Sequence, residues 1–158
     1  MTKLGKFFIA FTLIALFSSC GYTPIFSKKT VNFSIENIEF LGKVNRNVKE
    51  KIIYALSAYK SDPKKEKKIS LIFQSSKNTI IVSKNQKGEP QVYKVNLQIK
   101  MKAILAENNY FEKNIEQSAT YSAVERKSDE KLIENKVVEN LSNQIAQQII
   151  LELLEKTK

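Results

Sequence analysis

Cys20 is the only cysteine of the chain, and no histidine accompanies it in the 158 residues. A lone cysteine can serve as nucleophile, metal ligand, half of a disulfide or acceptor of a covalent group. Without histidine, the Cys-His and Ser-His-Asp routes to an activated nucleophile are closed, as is any His-containing metal site. One cysteine builds neither an internal disulfide nor a thiolate zinc site. Gly5, Gly21, Gly42 and Gly88 are too scattered for a phosphate-cradling loop. What remains is the chemistry of 16 carboxylates and 26 basic side chains. Glu112 and Glu116 share a strand face, but they stand among lysines with nothing to raise a carboxyl pKa, so they read as solvated. A metal-free carboxylate or Ser-Lys mechanism is left formally open. The chain is expected to carry no catalytic residue, no metal and no cofactor beyond what Cys20 takes.

The setting of Cys20 says what that is. Lys3 and Lys6 precede eleven uncharged residues, Phe7–Phe17, followed by Ser18 and Ser19. This is the layout of a secretory leader, and it falls short of the ~20 residues needed to span a bilayer. Leu16-Phe17-Ser18-Ser19-Cys20 resembles the bacterial lipobox, with Phe17 where Leu is usual. The resemblance implies cleavage between Ser19 and Cys20, a diacylglyceryl group on the sulfur and an acyl group on the new N-terminus. An ordinary secretory leader with an incidental cysteine is the alternative. Each buried acyl CH₂ contributes ~0.8 kcal/mol, so several chains on Cys20 would hold the protein on a membrane where one would not. Gly21, rather than Asp, follows the cysteine. By resemblance to Gram-negative lipoproteins, that implies the outer membrane.

The expected organisation is a leader over 1–19, a lipidated tether over 20–30 and a single domain over 31–158. Loss of the leader removes Lys3 and Lys6 and takes the formal charge from +10 to about +8. Part of that charge falls on one strand. Tyr93, Val95, Leu97, Ile99, Met101, Ala103 and Leu105 alternate with Lys94, Asn96, Gln98, Lys100 and Lys102. One face is therefore buried and one wet. Lys94, Lys100 and Lys102 share the wet face, and ammonium groups suit phosphate and carboxylate. They are the candidate anion contacts, although exposed strands also carry lysine for solubility and edge protection. The basic run Lys64–Lys68 reads as a solvated loop. Basic strands with aromatics also occur in nucleic-acid binders. Here Tyr93, Phe111 and Tyr121 fall on the buried parity and the leader exports the chain, so nucleic acid is set aside.

The remaining elements follow from periodicity. Val31, Phe33 and Ile35 alternate, then the parity shifts to Ile38 and Phe40, predicting an edge or bulged strand ended by Gly42. Asn45 or Asn47 can cap a helix to about Tyr59, with Val48, Ile52, Leu56 and Tyr59 as its stripe. Pro63 stops it. Ile69, Leu71 and Phe73 begin one long bent strand or two short ones, with Ile80 and Val82 on the other parity. Lys87-Gly88-Glu89-Pro90 signals a hairpin turn. Phe111, Ile115, Ala119 and Tyr121 mark a further strand, and Ser128 is expected to cap a long helix whose stripe runs from Val137 to Leu154. The prediction is an α+β two-layer sandwich of order β-α-β-β-β-α: a four-stranded, mostly antiparallel sheet with two helices on its buried face.

With these elements in place, Cys20-Gly21-Tyr22-Thr23-Pro24-Ile25-Phe26 resembles the mature start of the lipopolysaccharide-assembly lipoprotein (LptE) family. The segment Asn140–Ile149 resembles that family's C-terminal helix, and the element order is also the family's. The chain is lysine-rich and glycine-poor beside it. The resemblance implies a non-enzymatic plug in the lumen of an outer-membrane β-barrel translocon, supporting its assembly and the insertion of lipopolysaccharide into the outer leaflet. The implied partners are that barrel and lipopolysaccharide, with Lys94, Lys100 and Lys102 as candidates for the latter. The implied place is the outer membrane, lipid-anchored and facing the periplasm or barrel lumen. A free-standing envelope lipoprotein, acting as scaffold, tether or anionic-ligand binder, is the alternative.

Overall fold

In the computed structural model, strict alternation over Pro90–Ala106 places a central strand from which the rest of the sheet is built. The structure describes residues 31–60, 65, 67–106 and 109–157. The leader, Ser19, Cys20 and the 20–30 tether lie outside the described residues, as do the Pro63 helix stop and Lys64 and Glu66 of the basic run. The elements run β1 (Phe33–Leu41), α1 (Arg46–Ser57), β2 (Lys67–Lys84), β3 (Pro90–Ala106), β4 (Asn109–Ser122) and α2 (Lys127–Lys156). The sheet order is β1-β2-β3-β4. β1 lies parallel to β2, and the other two pairings are antiparallel. The α+β sandwich with a mostly antiparallel sheet is thus what the chain forms.

The core lies between one sheet face and the helices. Val95, Leu97, Ile99, Met101 and Ala103 of β3 are fully buried there, beside Ile69, Leu71 and Phe73 of β2 and Ile115 of β4. Each Val, Leu, Ile, Met or Phe side chain so buried contributes roughly 1.5–3 kcal/mol relative to exposure. The parity shift in β1 is a bulge between Ile35 and Asn37, which returns Ile38 and Phe40 to the core side. Phe40 then packs on Phe73 with ring centroids 5.3 Å apart.

In α1, Asn45 is the cap, its Oδ1 accepting the Asn47 N–H at 3.0 Å. Val48, Ile52 and Leu56 form the buried stripe. The helix stops at Ser57, two residues short of Tyr59. Tyr59 instead stacks on Phe33 at 5.8 Å, and its carbonyl accepts the Ile35 N–H at 2.8 Å. This contact and a bridge from Lys60 to Ile35 cover part of the outer edge of β1.

α2 departs from expectation at its start. Arg126, not Ser128, is the N-cap, and no side-chain bond caps the helix. Its carbonyl already accepts the N–H groups of Asp129 and Glu130 at 3.1 and 3.0 Å, so Ser128 stands inside the first turn. Asp129 and Glu130 complement the helix dipole in the cap's stead. The stripe of α2 is as expected, with Ser142 and Ala146 added. That serine is buried because its hydroxyl donates back to the Val138 carbonyl at 2.6 Å.

β2 is one long strand, so Ile80 and Val82 leave the core parity and become exposed. It outruns its parallel neighbour: β1 pairs only with Lys67–Gln74, and Gly42, at φ 73°, turns the chain off the sheet. The hairpin to β3 is organised by Asn85, whose Oδ1 accepts from the Lys87 and Glu89 N–H groups, with Gly88 at φ 83° supplying the reversal.

Candidate anion-binding face

The sheet face away from the helices is where β3 places the three candidate lysines. Register aligns Gln74, Lys100 and Asn114 across β2, β3 and β4. One step further along lie Ile72, Lys102 and Glu112. Lys100 and Lys102 are therefore side by side, as their spacing requires. Lys94 stands six residues off, roughly 20 Å along the strand, between Ile80 and Thr120. The structure brings two of the three lysines together and leaves the third apart.

Neither of the adjacent lysines is an isolated charge. Lys100 Nζ lies 3.5 Å from Glu112 Oε2. Lys102 Nζ sits over the Tyr110 ring, 4.2 Å from its centroid. Glu39, Glu112 and Glu116 occupy the same face as the three lysines. Between the charges lies a field of amides and hydroxyls: Asn78, Asn96 and Ser118 in one row, and Ser76 and Gln98, beside Glu116, in the next. The Asn96 carboxamide oxygen is buried there with no hydrogen-bond partner among the described residues. The wet face is thus balanced in charge over these strands, not a basic patch.

One concavity, of about 610 Å³, opens on this face where β1 stops short. Leu41, Gly42 and Lys43 form one wall, and Gln74, Gln98, Lys100 and Asn114 line the rest. Lys100 is the one candidate lysine lining it. Lys43 faces it from the turn, and periodicity had given no reason to single Lys43 out. Two ammonium groups with three carboxamides suit an oxygen-rich anion, the lysines supplying charge and the amides oriented donors. The signal that could have found this site was the mismatch in strand length, which needs the register to be known.

A second polar group sits on the helix side at the far end of the sheet. Lys77 and Thr79 of β2 both donate to Glu134 Oε1 of α2, Thr79 at 3.0 Å. The Lys77 bond, foremost, holds the Glu134 carboxyl below its ordinary value of 4.5, against the opposing effect of burial. Tyr93 and Tyr121 stack beside it at 5.3 Å. Burial first, then Glu134, Glu130 and Tyr93, push the Tyr121 phenol up to about 12. Further along, Lys113 bonds Glu152 at 2.6 Å, and Gln117 donates to Gln148 at 3.2 Å. These polar residues fasten β4 and β2 to α2, and nothing about them calls for a ligand.

The chain matches no protein-family model and no curated protein sequence. Its fold is similar to several solved structures. Rare lipoprotein B from Shewanella oneidensis superposes with a TM-score of 0.58 at 15% identity, over 78% of this chain and 94% of that one. A minor lipoprotein from Acinetobacter baumannii gives 0.61 at 13%, over 80% and 93%. Lipoprotein B from Nitrosomonas europaea gives 0.55 at 13%, over 87% and 90%. At these identities the likeness is one of fold.

Proposed function

We propose that this chain is a lipid-anchored outer-membrane lipoprotein that plugs a β-barrel translocon and aids its insertion of lipopolysaccharide. It works by binding rather than by catalysis. The observation that carries the reading is a fold shared with bacterial lipoproteins over about four-fifths of the chain, joined to a sequence in which the one cysteine follows a leader-like apolar run. Lipid on Cys20 would confine the domain to the membrane surface. The anionic lipid is assigned to the trough, where Lys43 and Lys100 would meet its phosphates and Gln74, Gln98 and Asn114 its sugar hydroxyls. Lys102 and Lys94 would contribute from outside the trough, at longer range.

Affinity purification from intact outer membrane is the test. The expected result is a large β-barrel protein recovered in about equal amount. Recovery of this chain alone from a membrane of normal composition would refute the plug and leave a free-standing envelope lipoprotein as the account.

A further inference from the structure

The sheet has three outer stretches: the free sides of β1 and β4 are covered or blunted, and the part of β2 beyond β1 is not. The outer edge of β1 is partly covered by Tyr59 and Lys60. Its inner edge pairs with β2 over Lys67–Gln74. The outer edge of β4 carries Glu112, Lys113 and Glu116, and its uncharged end exposes Ser118, Thr120 and Ser122 rather than large apolar groups. Charge and short polar side chains are common ways of blunting an edge.

The stretch of β2 beyond β1 is different. From Ser75 to Lys84 no strand lies beside it on that side among the described residues. Ser75 and Ser76 border the trough, so the open stretch begins at Lys77. Asn78-Thr79-Ile80-Ile81-Val82 is uncharged and rich in β-branched residues. Ile80, Ile81 and Val82 are 43%, 45% and 54% exposed. The ladder to β3 stays regular as far as Ile81, and a bulge at Val82 marks its outer end. An exposed, β-prone edge of this kind is a ready template for another strand.

Its surroundings choose the strand. Lys94 stands opposite Ile80, Lys84 ends the strand and Lys87 lies in the turn. None of the three belongs to an ion pair among the described residues. Against these three lysines stands Glu89, which the neutral Asn85 carboxamide bonds, while Glu134 is paired with Lys77. Glu112 and Glu116 are two strands away, roughly 10 Å. The local field is therefore positive. A second copy would bring like charge to the same edge, which opposes self-pairing.

We propose that Lys77–Val82 is the docking edge for an acidic, extended segment of a partner protein, which adds to the sheet as a fifth strand beside β2. Backbone hydrogen bonds to this edge would hold the segment. Its carboxylates would meet Lys94 on one face, within reach of Lys84, and its apolar side chains, on the other face, would cover Ile81. The proposal stands apart from the barrel reading, since any acidic strand satisfies it.

The test uses the purified full-length chain and a synthetic ten-residue peptide of alternating valine and glutamate, read by backbone hydrogen exchange. Exchange over Lys77–Val82 is expected to slow at least tenfold, with β4 unchanged. The same peptide N-methylated at alternate residues should give no protection, and a valine–lysine peptide at least tenfold weaker binding. Ile80→Glu/Val82→Glu, at exposed positions, should abolish protection, while Thr120→Glu on β4 should not. Protection appearing on β4, equal binding of the lysine peptide, or no protection at all would overturn the proposal. So would a peptide-free dimer that itself shields Lys77–Val82, which would assign the edge to a second copy.

Discussion

At the scale of single residues, Lys100 lies beside Glu112 and Lys102 over Tyr110, whereas Lys94 has no ion-pair partner among the described residues. Alternation alone put Lys94, Lys100 and Lys102 on one face of β3. It could not show Glu112 reaching Lys100, nor Tyr110 beneath Lys102, because cross-strand neighbours depend on register. Lys43 escaped for the same reason. The lysines should therefore differ in weight. Binding of purified lipopolysaccharide, measured by calorimetry, is expected to weaken about tenfold or more for Lys43→Glu/Lys100→Glu. Lys94→Glu should change it less than threefold. Equal effects would remove the trough from the account. Tyr121 gives a second check. Its phenol is pushed up to about 12 by burial and by nearby carboxylates. In an alkaline absorbance titration, Tyr121 should give the latest step, with Tyr59, which burial also raises, ionising after the exposed tyrosines, and Tyr121→Phe should remove the latest step. The neutral phenol is the form the fold favours, so its contribution to stability is whole below the ordinary value of 10.0 and is lost as pH rises toward 12.

At the scale of elements, strands and helices follow from periods of 2 and 3.6, and most boundaries were legible. The bulge in β1 was visible as a parity shift between Ile35 and Ile38, because a bulge leaves that signature in any half-buried strand. The start of α2 was not. Ser128 is a good cap in isolation, but the backbone turns helical at Lys127 and leaves it inside the first turn. Lys113 and Gln117 of β4 make ties that periodicity does not reveal. They share the helix-facing parity with Phe111 and Ile115, and their partners Glu152 and Gln148 lie far along the chain. Glu134 is the sharpest test of such ties. Its carboxyl is lowered chiefly by the Lys77 bond, so the charged form favours the fold. That contribution is whole above the ordinary value of 4.5 and fades as pH falls below it. Glu134→Gln is expected to cost about 0.5–1.5 kcal/mol at pH 7 in denaturant melts, with the difference from the parent shrinking in acid. A constant difference down to pH 3 would show that the ion pair contributes nothing.

At the scale of the whole molecule, the layer architecture was legible because a single amphipathic sheet needs one covering layer, and two amphipathic helices were available to supply it. The parallel pairing of β1 with β2 was less so, since nothing in either strand's pattern names its neighbour. The reading of Cys20 belongs to this scale, because it concerns where the whole chain resides. Cys20→Ser is expected to yield a precursor that keeps its leader and takes up no radiolabelled palmitate. Normal labelling of that variant would refute the lipobox. The unequal lengths of β1 and β2 have a mechanical side as well. Phe33 pairs with Lys67 at one end of β2, and the Asn85 turn stands at the other, roughly 60 Å away. Held at the Phe33 end, the three-stranded overhang is a lever. A tilt of about 5° there sweeps the hairpin tip through about 5 Å, one strand spacing, which is enough to bring its edge into or out of register with a neighbouring strand.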